Sequence, residues 1–152
     1  MSKKNGFTLI ELLITLALVA ILAAIAVPGF GQMLQDNRLA TQTNELASAV
    51  QYARAEAARR GTAVTVASQS ATDDWSGGWK VTAGATTLRV FDGPGNQLTV
   101  TGPAAGLSFG VSGELAQGAS SLTVCAESGV IGRQLILNAA GLARLKTDYV
   151  CP

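Results

Sequence analysis

The sequence predicts an α+β fold: a long, kinked N-terminal helix packed on a C-terminal antiparallel β domain. Three observations predict it. Phe7 to Val27 is an apolar run of 21 residues, FTLIELLITLALVAILAAIAV. Apolar residues then recur at helical spacing as far as Ala57. From Thr62 onward the period changes to two, and glycine- and proline-rich turns separate short runs.

Before the apolar run stands a short basic leader, Met1 to Gly6, with Lys3 and Lys4. As a helix the run is about 31 Å long, close to the hydrocarbon thickness of a bilayer. The two lysines favour a cytoplasmic N-terminus and a C-terminal bulk on the far side. One residue does not suit a plain anchor. Glu11 is a carboxylate four positions into the run, and a charge at such a place normally has a partner. A cut between Gly6 and Phe7 would create a cationic amine beside the apolar stretch. Glu11 of one subunit would then pair with that amine on a neighbour. At ~4 Å and an effective dielectric near ~20, the attraction is about 4 kcal/mol. The alternative is an ordinary secretory signal cut after Ala26, against which stand the length of the run and Glu11 inside it.

Gly6-Phe7-Thr8-Leu9-Ile10-Glu11, behind a basic leader and before an apolar helix, resembles the cleavage motif of type IV prepilins. The resemblance implies a type IV pilin-like fold. It also implies a prepilin peptidase that cuts after Gly6 and N-methylates Phe7, and a role for Glu11 in subunit assembly. The implied partners are that peptidase, the bacterial inner membrane, and other minor and major pilins or pseudopilins met through the N-terminal helix.

Pro28-Gly29 predicts a kink rather than a stop. Beyond it, Leu39, Thr43, Leu46, Val50, Ala53 and Ala57 follow 4-3-4-3-4 spacing, one stripe of a helix. Arg59 and Arg60 suit the negative helix end, and Gly61 suits the position after it. The expected organisation is therefore a leader at 1–6, a transmembrane half-helix at 7–27, a periplasmic amphipathic half-helix at 28–61 and a β-rich head at 62–152. Arg54 and Glu56 are expected to be solvated or locally paired. The stretches Asn44 to Ala47 and Gln51 to Gly61, with Trp75-Ser-Gly-Gly-Trp79, resemble the GspH/FimT family of pilin-like proteins.

Eight short strands are expected: 62–67, 79–82, 88–91, 97–101, 107–110, 122–126, 133–138 and 142–146. Alternation of apolar residues with threonine in Leu98 to Thr101 and Leu122 to Val124 suits sheets with one buried face. Trp75 and Trp79 read as core or turn aromatics, with a partner-binding surface anchor as the alternative. An even count of two cysteines in an exported domain favours a bond between Cys125 and Cys151, with two free thiols as the alternative.

Composition excludes several functions. The chain has no histidine, so most zinc sites, catalytic triads and neutral-pH acid–base sites are out of reach. No metal cluster, cofactor motif or phosphate-binding loop stands out, and the reading is not an enzyme. Lys3, Lys4 and Glu11 precede Gly29, which leaves 11 − 2 = 9 basic and 10 − 1 = 9 acidic residues beyond it. A general pull on nucleic acid is not supported. Some DNA-uptake members of the family carry a Gly-Arg-x-Arg motif, and Gly141-Leu142-Ala143-Arg144 matches it except at Leu142. Arg144 and Lys146 would be the DNA contacts, and two charges give little affinity at physiological salt.

The sequence therefore points to a minor pilin that initiates or caps a type IV pilus. It would sit in the inner membrane with a periplasmic C-terminus and then at the pilus tip. An H-type minor pseudopilin of a type II secretion system is the alternative, and a DNA-binding minor pilin in transformation the second alternative.

Overall fold

A single α-helix, α1, runs from Leu9 to Arg60 without a break at Pro28-Gly29. The computed structural model describes residues 8–152, apart from the side chains of residues 25–29. The expected break between leader and mature chain at Gly6 and Phe7, and the side chains at the expected kink, lie outside the described residues. Among the described residues no helix is long and apolar enough to cross a membrane. Of the expected span at 7–27, Phe7 and the side chains of residues 25–27 lie outside the described residues. The chain divides into two compact units, one ending at Asp36 and the other comprising Asn37–Pro152.

In the first unit the helix displays its apolar side chains. Leu9 through Leu22 present exposed leucines, isoleucines and Val19, and Phe30, Met33 and Leu34 continue the display.

In the second unit the helix buries the stripe expected from its spacing. Leu39, Thr43, Leu46, Val50, Ala53 and Ala57 are all buried, and the apolar ones join the sheets in one hydrophobic core. Thr43 is accommodated because its hydroxyl donates to the Leu39 carbonyl one turn back. The helix ends where Gly61 adopts φ +64° and its N–H returns to the Ala57 carbonyl at 3.0 Å.

Eight strands follow: β1 Val64–Ser68, β2 Gly78–Ala83, β3 Thr86–Asp92, β4 Thr99–Thr101, β5 Leu107–Phe109, β6 Ser120–Cys125, β7 Ile131–Leu137 and β8 Ala143–Val150. They form two antiparallel sheets with strand orders β3-β2-β1-β5 and β4-β6-β7-β8. Alternation decides which side faces inward. Val64 and Val66 of β1, Val100 of β4 and Leu122 and Val124 of β6 are buried, while the threonines between them face outward or sit at the margin. Trp75 and Trp79 are fully buried, which makes them core aromatics and not surface anchors. Trp79 stacks on Phe91, and the Arg89 guanidinium lies over the Phe91 ring and over Tyr52 of α1.

Most strand ends lie one or two residues from the expected ones, and two of the differences have a plain cause. Gly95–Gln97 is a turn of 3₁₀-helix, so β4 begins only at Thr99. The last strand reaches Val150, well beyond Lys146, because it pairs along the whole of β7.

All four strand edges are guarded. The outer edge of β4 is covered by the 73–76 segment, with Trp75 N–H donating to the Val100 carbonyl and the Ser76 hydroxyl accepting from Val100 N–H. The edge of β5 is covered by 114–117, where Ala116 N–H reaches the Ser108 carbonyl and Gln117 Oε1 accepts from Ser108 N–H. The two long edges, β3 and β8, each carry a register irregularity against the neighbouring strand. Such bulges discourage strand addition.

Candidate functional site

The helix start is held by a reciprocal cap. Thr8 donates to Glu11 Oε2 through its N–H at 2.9 Å and through its hydroxyl at 3.0 Å, and its hydroxyl accepts from Glu11 N–H at 3.3 Å. This is a capping box, in which two otherwise orphaned N–H groups are satisfied by the two side chains. The carboxylate at this position thus has a structural task within its own chain. Both bonds use Oε2. Oε1 has no hydrogen-bond partner among the described residues, so one face of the carboxylate stays open to a cation from outside. The Thr-x-x-Glu spacing in the sequence signals this cap, whereas the sequence reading gave Glu11 only an intersubunit partner.

At the other end of the helix, Glu56 is buried beneath two arginines. Arg59 Nη2 and Arg60 Nε approach its Oε2 at 2.7 and 2.6 Å, and Arg59 Nε reaches Oε1 at 3.0 Å. The Arg59 guanidinium foremost, then that of Arg60, holds the carboxyl at about 2 against an ordinary 4.5, and hydrogen bonding outweighs the opposing desolvation. Glu56 is locally paired, as expected, and belongs to the helix end.

Arg54 is half-buried and does more than meet solvent or a near neighbour. Its Nε donates to the Gly113 carbonyl oxygen at 3.0 Å. Gly113 lies in the β5–β6 loop with φ +78°, and a Cβ there would meet Arg54 Nε at 2.9 Å. That loop is joined to the β7–β8 turn by Leu115 N–H donating to the Ala139 carbonyl. Arg54 therefore ties the helix to two loops of the head. Sequence reasoning missed this because the partner is a backbone oxygen 59 positions away. Between these parts lies a groove of about 520 Å³, whose walls include Gln51, Arg54, Ala55, Ala58, Gly113 and Leu142.

The basic pair of the tail is on β8. Arg144 lies opposite Ile136 and Lys146 opposite Gln134, so both stand on one side of the sheet. Leu142 does not join them on the strand. It lies in the turn before β8, with its N–H held by Asn138 Oδ1 at 2.9 Å. Cys125 and Cys151 are joined by a disulfide with Cα atoms 5.9 Å apart, which ties the C-terminus to β6. Gly132 lies against it, and a Cβ there would collide with Cys151 Sγ.

The model of the type II transport protein GspH family matches residues 42–141, two thirds of the chain. The chain belongs to the GspH family. Residues 1–27 match a second model, the prokaryotic N-terminal methylation motif. No curated protein matches. Two crystal forms of the type IV minor pilin FimU of Pseudomonas aeruginosa PAO1 are similar in structure. One has 28% identity and a TM-score of 0.61, with 74% of this chain and 95% of that chain covered. The other has 27% identity and a TM-score of 0.67, with 79% and 96% covered. The GspH-family chain therefore has the pilin fold of FimU, a helix packed on antiparallel sheets, and is a minor pilin or pseudopilin of the GspH/FimT kind.

Proposed function

We propose that this GspH-family protein is a minor pilin that starts or caps a type IV pilus after a prepilin peptidase removes residues 1–6 and methylates Phe7. The observation that carries the reading is Glu11. It caps its own helix through one oxygen and offers the other to a cation, which in a filament is the Phe7 amine of a neighbouring subunit. Residues 7–27 hold the subunit in the inner membrane before assembly, and the head faces the periplasm. The role is structural and not catalytic. Similarity to FimU, a type IV minor pilin, favours the pilus. The family description, a type II transport protein, favours a pseudopilus as the second reading.

Deletion of the gene, with surface pili, twitching and type II secretion scored in parallel, separates them. Loss of pili with normal secretion supports the pilus reading. Loss of secretion alone assigns the chain to the pseudopilus, and no change in any readout removes both.

A further inference from the structure

The groove between α1 and the two head loops has one charged wall and several apolar or small ones. Arg54 commits only Nε to the Gly113 carbonyl; neither Nη atom has a hydrogen-bond or ion-pair partner among the described residues. None of the groove-lining residues is acidic. A guanidinium presents a planar fork matched to a carboxylate, and a bidentate pair is stronger and more selective than a single point contact. Around it stand exposed Ala55 and Ala58 on the helix and Leu142, 54% exposed, on the turn. At about 520 Å³ the groove has room for a short peptide segment, far more than an ion or a few waters need. Neighbouring heads are not expected to join by strand addition, because each sheet edge is covered or bulged. Contact between heads would then rest on side chains, and this recess offers an unpaired guanidinium beside apolar walls.

We propose that this groove receives an acidic–aliphatic loop from the head of a neighbouring pilin-like subunit, with the carboxylate held by the free Nη atoms of Arg54 and the aliphatic side chains against Ala55, Ala58 and Leu142. The contact is separate from the one at Glu11, although it rests on the assembly reading. It gives the subunit a second, head-level criterion for choosing its neighbour, since a like-charged or acid-free loop leaves the guanidinium unpaired.

The test places a photoreactive amino acid at Ala55 of the full chain in cells that assemble the filament, and maps adducts by mass spectrometry. The expected adduct lies in a pilin-like subunit, within a few residues of an aspartate or glutamate. Leu142→Asp sets a competing carboxylate on the groove wall and should lower adduct yield about tenfold. Ala58→Glu, at an exposed helical position, should do the same. An unchanged urea midpoint in either variant separates occlusion from misfolding. Incorporation without any adduct, an adduct in an acid-free segment, or full yield in both variants overturns the proposal. Failure of the unlabelled wild-type chain to enter filaments overturns the assembly reading, and this proposal with it.

Discussion

Arg54 Nε donates to the Gly113 carbonyl oxygen at 3.0 Å, a bond between residues 59 positions apart that fastens the long helix to the head. Arg54→Ala would leave that carbonyl without its donor. The expected loss is about 1–3 kcal/mol of unfolding free energy, read from urea melts. Gly113→Ala should lose more, because it adds backbone strain at φ +78° to a collision with Arg54. Equal stability of both variants and wild type would show that the bond fastens nothing.

The bond between Cys125 and Cys151 closes a loop with a sequence separation of 26. In the chain-entropy model it contributes about 3–4 kcal/mol. Reduction, or replacement of both cysteines by serine, should lower the urea midpoint accordingly. Gly132→Ala should also destabilise the oxidised protein, because its Cβ has no room beside Cys151 Sγ and the Val124 carbonyl. Its effect should shrink in the double serine variant, where the bond no longer holds Cys151 in place.

Glu56 has a depressed pKa in the folded state, about 2 against 4.5. A depressed carboxyl contributes stability that is complete above its unfolded pKa and disappears as pH falls through the folded one. Wild type should therefore exceed Glu56→Gln in stability at pH 7. The gap should narrow between about pH 4.5 and about pH 2. Urea midpoints across that range measure it, and a gap independent of pH would show that the carboxylate's charge is not what Arg59 and Arg60 recognise.

At the helix start, Glu11→Ala should leave insertion and cleavage intact and reduce incorporation into filaments. Thr8→Val keeps the size of the side chain and removes the hydroxyl of the cap, at a typical loss of about 1 kcal/mol of helix stability. It should be processed normally and incorporate at an intermediate level, because Glu11 keeps its charge but loses one of the groups that orient it. Normal piliation by Glu11→Ala would remove the role given to that carboxylate.

Arg144 and Lys146 supply two charges on one side of β8, and Leu142 stands where the DNA-uptake motif has arginine. Two contacts give a shallow salt dependence and weak binding. Gel shifts at physiological salt should show no complex. A shift that disappears in Arg144→Ala plus Lys146→Ala would instead establish a DNA-binding role.

The features legible in the sequence were those with local causes. The 4-3-4-3-4 stripe from Leu39 to Ala57 is the buried face of the helix because spacing alone places those residues together. All eight strands lie near their expected positions because threonine–aliphatic alternation and glycine turns are local signals. The end of β8 was missed because Lys146 and Asp148 interrupt the apolar pattern on an edge strand. The junction of Arg54 with Gly113, and the groove beside it, depend on three segments distant in sequence, which no local pattern encodes. The cap at Thr8 is legible in the sequence too, because Thr8 and Glu11 stand three positions apart at the start of the helix.

The most direct test is the N-terminal peptide of the native protein, identified by mass spectrometry. A chain beginning at Phe7, with one methyl group on its amine, is the predicted result. A native polypeptide beginning at Met1, or after Ala26, would contradict the account.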